Sequence, residues 1–351
     1  MRKQLRRQIS VGGVLIGDGA PVTVQSMTTT KTADAEATVA QILQLERAGC
    51  DIVRVAVPDE LSARAIERIK ARINIPLVAD IHFDYKLALL SVEAGADKIR
   101  INPGNIGSEE NVRRVAEACR AHNIPIRIGV NSGSLEHDIL ARRGVSPEAM
   151  VESAMRHIEL LNRFDFDDIC VSVKASEVPL MIASYRLLQD MMLYPLHLGV
   201  TEAGTEFAGI IKSAVGIGAL LADGIGDTIR VSLTADPVRE VQAGLELLKS
   251  LDLRRGVRLI SCPTCGRCKI DLIALARDVE RRLEGLNADI TVAVMGCPVN
   301  GPGEAREADF GIAGGDGEGV LFAHGEVVGK VSADKLADAL MTLIANSLHN
   351  K

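Results

Sequence analysis

The chain has 351 residues, 47% hydrophobic and 25% charged, and its 40 lysines and arginines against 46 acidic residues give a net charge of −6. That balance excludes a nucleic-acid binder dominated by a basic face, and the length suits one large and one small domain. No apolar run reaches the ~18 residues of a membrane helix, and the basic start, residues 1–7, has no apolar stretch behind it. Neither a membrane span nor an export signal is predicted, and the cytoplasm is the expected compartment.

In chain order, a glycine-rich segment over 6–19 with alternating Val11, Val14 and Ile16 predicts a β-hairpin, placed to plug the N-terminal end of a barrel. Eight short β-branched runs come next, at 21–26, 51–57, 76–82, 98–102, 125–131, 168–174, 195–201 and 228–233. Amphipathic helical stretches separate them; over 34–49, Val39, Ile42 and Leu43 recur at i, i+3 and i+4, and Gly49 closes the helix. Eightfold strand–helix alternation predicts an α/β fold, a (β/α)8 TIM barrel over 1–250. The runs at 48–54, 94–100 and 226–230 resemble one another, and proline opens those at Pro76, Pro125 and Pro195, which suggests duplicated βαβα units. A linker over 250–258 leads to a small α+β domain over 257–351. Its expected parts are a strand at 258–261, a cysteine loop, a helix at 271–286, a strand at 290–295 and a second cysteine loop. Short strands at 309–313, 319–323 and 326–331 and a helix at 333–347 complete it.

Strands of a parallel barrel are buried on both faces, so polar residues within them need a reason. Here Arg54 lies on the second run, Asp80 and His82 on the third, Arg100 and Asn102 on the fourth, Arg127 and Asn131 on the fifth. Lys174 lies on the sixth, Glu202 at the end of the seventh, and Arg230 and Ser232 on the eighth. If these occupy the carboxyl ends of the strands they converge on one pocket. Four arginines and a lysine against Asp80 and Glu202 make that pocket cationic, and several planar guanidinium forks suit a diphosphate. The competing structural reading is ion pairing at the bottom of the barrel, which would not favour one sign. Glu202, within 199–204, is either a carboxylate enclosed by apolar neighbours and fit to act as a general acid, or a partner of Lys174 or an arginine. His122, His137, His157, His324 and His349 show no ligand spacing and are expected at the surface.

Of seven cysteines, Cys50, Cys119 and Cys170 are scattered, whereas Cys262, Cys265, Cys268 and Cys297 fall near the C-terminus. In a reducing compartment these are thiols or ligands rather than disulfides. Cys262-Pro-Thr-Cys265 puts two thiolates on one face of a metal or cluster, and Cys297 in a Gly/Pro-rich loop can complete the site. Four thiolates also suit zinc, so the spacing alone leaves iron and zinc open.

Ser261-Cys-Pro-Thr-Cys-Gly-Arg267 together with Met295-Gly-Cys-Pro-Val-Asn-Gly-Pro-Gly-Glu-Ala305 resembles the signature of the 4-hydroxy-3-methylbut-2-enyl diphosphate synthase family. Blocks at 24–28, 78–85, 100–105 and 197–202 extend the resemblance over nearly the whole chain, in the bacterial two-domain form. The resemblance implies a [4Fe-4S] cluster held by Cys262, Cys265 and Cys297, with Glu304 as a carboxylate fourth ligand. It implies an oxidoreductase of isoprenoid biosynthesis that reductively opens 2-C-methyl-D-erythritol 2,4-cyclodiphosphate. Arg54, Arg100, Arg127, Lys174, Arg230, Asn102 and Asn131 would hold the substrate, and Glu202 would supply a proton. Flavodoxin or ferredoxin as electron donor and a homodimer are implied in the same way. Cys268 departs from the pattern: Cys-x-x-Cys-x-x-Cys is reminiscent of an all-cysteine ferredoxin run, which would remove the open iron site.

Two other readings compete. Lys174 at the end of the sixth strand could be the Schiff-base lysine of a phosphate-substrate aldolase, the cysteine domain then being a structural zinc module. A ferredoxin-like carrier fused to a scaffold barrel needs no anion pocket. No Gly-x-Gly-x-x-Gly fingerprint comes after a strand, so no nicotinamide dinucleotide is expected.

Overall fold

A computed structural model describes residues 7–297 and 307–349. The chain divides into two compact units, Met1–Arg254 and Arg255–Lys351.

The first unit opens with a hairpin, β1 (Ile9–Val11) and β2 (Val14–Ile16), paired antiparallel. Its apolar residues Ile9, Val11 and Ile16 pack with Ile52, Val78 and Cys170, which lie at or near the starts of three barrel strands. The hairpin therefore closes the N-terminal end of the barrel. The barrel strands are β3 (Thr23–Met27), β4 (Ile52–Ala56), β5 (Leu77–Asp80), β6 (Lys98–Ile101), β7 (Ile126–Asn131), β8 (Ile169–Lys174), β9 (His197–Leu198) and β10 (Thr228–Ile229). They run in the order β8-β7-β6-β5-β4-β3-β10-β9, all parallel. A parallel bridge between Val171 and Leu196, with the Val171 amide donating to the Pro195 carbonyl at 2.9 Å, joins the two ends.

Helices α1 (Ala35–Arg47), α2 (Glu60–Lys70), α3 (Tyr85–Glu93), α4 (Glu109–Ala121), α5 (His137–Arg143), α6 (Pro147–Asn162), α7 (Val178–Met191), α8 (Glu206–Ala222) and α9 (Pro237–Ser250) alternate with the strands. Short polar residues start most of them: Asp34, Asp59, Asp84, Ser108, Ser146 and Asp236 each accept a first-turn amide with their side chain. The helices bury their apolar stripes on the outside of the strands in one continuous core.

The eight-stranded barrel agrees with the sequence expectation, but two strands are much shorter. The runs 195–201 and 228–233 contribute only β9 and β10, of two residues each. Gly199 comes next to the Lys174 side chain and to the Arg230 carbonyl, so the backbone leaves the ladder there.

In the second unit a five-stranded mixed sheet runs β11 (Arg258–Ser261), β12 (Thr291–Met295), β13 (Phe310–Gly314), β14 (Glu318–Ala323) and β15 (Glu326–Ser332). The first three are parallel and the last two antiparallel. Helices α10 (Leu272–Leu283) and α11 (Leu336–His349) bury Leu272, Val279, Leu336, Leu340 and Ile344 against Val292, Val294 and Ile312. No helix is long and apolar enough to cross a membrane among the described residues.

Candidate functional site

The sequence repeat at 48–54, 94–100 and 226–230 has a physical basis. In each copy an aspartate accepts the amide of a neighbouring strand: Asp51 from Val24 at 2.8 Å, Asp97 from Leu77 at 2.7 Å and Asp227 from Leu196 at 2.9 Å. Each bond ties the starts of two strands together. Three residues later each copy carries an arginine, Arg54, Arg100 or Arg230. Repetition of one strand start thus supplies three of the site's cations.

Asp80 organises the centre of the barrel. One carboxylate oxygen accepts from Arg100 Nη1 at 3.1 Å, and the other lies 3.7 Å from Arg54 Nε and 3.5 Å from His82 Nε2. Arg54 also rests its guanidinium on Met27 Sδ, at 3.0 and 3.1 Å. Two glycines, one on β7 and one just after β9, leave room: a Cβ on Gly129 would stand 2.5 Å from Arg100 Nε, and one on Gly199 would stand 2.6 Å from Lys174 Nζ. Arg54, Asp80, Arg100, Arg127 and Lys174 are all buried.

Burial and neighbouring charge together set the pKa shifts. Burial disfavours the Asp80 carboxylate, but Arg54, the His82 hydrogen bond, Arg100 and Arg127 outweigh it, and the carboxyl stays well below its ordinary range. Burial pushes Lys174 well down, and Arg127, Arg54, Arg230 and Arg100 add to the push. Arg127 falls to about 10 by burial and the repulsion of Arg100, partly offset by Asp80. Cations outnumber carboxylates, as the sequence suggested.

Arg230 reaches a carboxylate outside the predicted set. Glu240 of α9 lies 3.4 Å from its guanidinium. Asn102 is buried and accepts the Gly104 amide at 3.1 Å, which fixes the turn after β6; Asn131 ends β7, and Ser232 is half-buried in the loop after β10.

Two expectations need correction. Glu202 is exposed, with φ of 51°, so the apolar enclosure expected from its sequence neighbours is not found in the barrel unit. It makes no ion pair among the described residues. A left-handed glutamate is a strained conformation of the kind that clusters at functional sites. His157, expected at the surface, is buried: its Nε2 stands 3.1 Å from Glu136 Oε1. Burial works against the Glu136 carboxylate, yet the close approach of His157 and Ser153 holds it down at about 2.

Sequence reasoning also missed residues deeper in the barrel. Lys98 opens β6 on the same face as Arg100, and His197 opens β9; both are buried completely. Lys98 Nζ, Arg127 Nε and Nη1, Arg100 Nε and both ring nitrogens of His197 have no hydrogen-bond partner among the described residues. The strand period of two, read from Arg100 backwards, carries the signal for Lys98. So many buried donors without acceptors call for an anion or ordered water.

In the second unit Cys262 and Cys265 come after β11 and Cys297 after β12, and all are free thiols. Cys262 Sγ accepts the Gly296 amide at 3.3 Å. Hydrogen bonds from the backbone and side chain of Arg267 lower the Cys265 thiol, and the same guanidinium is within electrostatic reach of Cys297 and Cys262. Cys268 donates to the Ile270 carbonyl at 3.2 Å, with its Sγ packed against Gly296. No three His, Cys, Asp or Glu side chains stand together as ligands of a single metal ion among the described residues. Three thiols around one cation nevertheless fit a polynuclear cluster, whose ligands stand apart on separate irons. Glu304 lies outside the described residues.

Comparison with known proteins gives agreement in both units. A family model described as GcpE TIM-barrel domain matches residues 6–245, and one described as GcpE protein C-terminal domain matches 258–346. Curated relatives named 4-hydroxy-3-methylbut-2-en-1-yl diphosphate synthase (flavodoxin) are similar over nearly their full lengths. That of Geobacter sulfurreducens is 58% identical over 99% of both chains. That of Caldanaerobacter subterraneus is 59% identical over 97% of this chain and 96% of its own. Among solved structures, Yersinia pestis dihydropteroate synthase aligns with a TM-score of 0.50 at 14% identity, over 70% of this chain and 97% of its own. A Plasmodium falciparum HPPK-DHPS structure reaches 0.51 at 11% identity, over 70% and 49%. At such identities these two show the barrel fold alone.

Proposed function

The chain belongs to the GcpE family, and we propose that it converts 2-C-methyl-D-erythritol 2,4-cyclodiphosphate to 4-hydroxy-3-methylbut-2-enyl diphosphate with two electrons from a reduced flavodoxin. The observation that supports this most is the excess of cations in the barrel: buried Arg54, Arg100, Arg127 and Lys174 with half-buried Arg230, against Asp80 and Glu240.

In this reading the five cations bind the diphosphate, with Asp80 fixing the aim of Arg54 and Arg100. His82, Asn102, Asn131 and Ser232 orient the carbon chain through its hydroxyls. The glycines at 129 and 199 let Arg100 and Lys174 cross the barrel where a Cβ would block them. Burial keeps bulk water from competing for the phosphate oxygens, so each charge-assisted bond counts for more than at a surface. Glu202, at the rim, delivers a proton to the departing C3 hydroxyl oxygen, which leaves as water while the carbon–oxygen bond to the ring phosphate breaks. Cys262, Cys265, Cys297 and Glu304 would hold a [4Fe-4S] cluster, which when bound would pass on the two electrons of flavodoxin one at a time. Cys268, turned to the Ile270 carbonyl, takes no part.

A homodimer in the cytoplasm belongs to the same proposal. Within the chain, the exposed apolar row Phe207, Ile211 and Val215 on α8 supports it, as a surface a second copy would cover. The Lys174 aldolase is not favoured. Its depressed lysine would suit a Schiff base, but the relatives carry the name of the synthase. Anaerobic purification with iron and sulfide assay, then turnover of the cyclic diphosphate with reduced flavodoxin, tests the reading. Equal iron and sulfide with formation of the linear diphosphate is the expected result. A zinc protein that forms a borohydride-trapped adduct at Lys174 would overturn it.

A further inference from the structure

We propose that Glu240 is a positioning residue of the diphosphate pocket, holding Arg230 where it can grip the substrate. The inference rests on the diphosphate site proposed above.

Glu240 occupies the buried stripe of α9, with Pro237, Val241, Gly244 and Leu248, and is only 4% exposed. A carboxylate there must be fully hydrogen-bonded or its burial is prohibitive. Two short bonds anchor it. Ser26 Oγ on β3 donates to Oε2 at 3.0 Å, and the Leu233 amide in the loop after β10 donates to Oε1 at 2.9 Å. Gly244 on the same stripe allows this approach: a Cβ there would meet Val24 Cγ1 at 3.0 Å and push the helix off the strand.

Onto this anchored carboxylate Arg230 places Nε and Nη2, in contacts of 3.4 Å. The anchors are short and the arginine contacts long, so Arg230 is oriented without exhausting its donors; Nη1 makes no bond to Glu240. Arg230 needs this restraint. It repels Arg54 and Lys174, and its side chain is 17% exposed, so an unrestrained guanidinium would swing towards solvent. Asp80 restrains Arg54 and Arg100; Glu240 does the same for Arg230 from outside the strand layer.

The test is calorimetric binding of inorganic pyrophosphate to the purified holoenzyme, with steady-state kinetics alongside. Glu240→Gln leaves one acceptor oxygen for four donor groups. It should weaken pyrophosphate about tenfold, the scale of one charge-assisted hydrogen bond, and raise KM with little change in kcat. Ser26→Ala, which removes one anchor and is mild enough to fold, should weaken binding in the same direction by about two- to threefold. In an Arg230→Ala background neither change should have a further effect, because the action runs through that arginine. Unchanged or tighter binding in Glu240→Gln, or an equal loss without Arg230, overturns the inference. Wild-type enzyme that binds no pyrophosphate would instead sink the diphosphate site itself.

Discussion

Lys98→Met is expected to stabilise the barrel at neutral pH, by an amount that shrinks as pH rises. Lys98 is completely buried and its Nζ has no hydrogen-bond partner among the described residues. Burial lowers it from 10.5 to about 8; Cys170 opposes the shift, and repulsion from Arg127 and Arg54 adds to it. A base with a lowered folded-state pKa binds its proton less well in the folded than in the unfolded chain. The penalty is therefore complete below about 8, declines between 8 and 10.5, and is gone above. The interval corresponds to ~3 kcal/mol. Methionine fills a similar volume without charge. Urea unfolding monitored by circular dichroism suits a chain without tryptophan, and the quantity to compare is variant minus wild type at about pH 7 and about pH 10.5. The variant's advantage should fall by ~3 kcal/mol between them. An advantage that does not change with pH, or a variant less stable at neutral pH, would refute the assignment of that cost to a buried ammonium.

The same geometry sets three further outcomes. Asp80→Asn removes the shared counter-ion of Arg54 and Arg100 and should cost ~3–5 kcal/mol of stability, part of it recovered when pyrophosphate is added; melting curves with and without pyrophosphate decide. Gly199→Ala sets a methyl 2.7 Å from the Arg230 carbonyl and 2.6 Å from Lys174 Nζ. It should weaken pyrophosphate by about tenfold, since overpacking costs ~1–3 kcal/mol, with secondary structure intact by circular dichroism. Cys262→Ser should lose iron after anaerobic preparation, whereas Cys268→Ser should retain iron, sulfide and the visible spectrum. Bleaching by Cys268→Ser would replace the proposed ligand set with an all-cysteine one.

Much of the barrel was legible because its signals are local. Aspartate and serine at helix starts, proline at strand starts and the aspartate three residues before each repeated arginine are all local, and the structure uses the helix caps and these aspartates as anchors. The cations were legible as charges inside runs that should be buried on both faces; the strand period of two, which carries Lys98 beside Arg100, was not applied. What else escaped depends on distant partners. Glu240 is bonded to Ser26 across 214 positions, and only its place on the buried stripe of α9 hinted at a role. His157 reads as one more exposed helical histidine until Glu136 comes over it. Glu202 shows the opposite failure. Apolar neighbours in sequence suggested enclosure, but a left-handed backbone turns the carboxylate outward. Strand lengths at β9 and β10 were overestimated because β-branched residues continue past the point where Gly199 takes the backbone out of the ladder.

The central claim is that the cationic barrel and the cysteine loops serve one reaction. Its most direct test is to reduce the anaerobic holoenzyme fully together with a stoichiometric amount of flavodoxin, which carries the second electron, remove the excess small-molecule reductant, and record the visible spectrum on mixing with 2-C-methyl-D-erythritol 2,4-cyclodiphosphate in the absence of other oxidants. The account predicts reoxidation of the cluster only when the cyclic diphosphate is present, with its linear diphosphate product recovered, and loss of that response in Arg127→Ala. A reduced cluster that is indifferent to the cyclic diphosphate would contradict it.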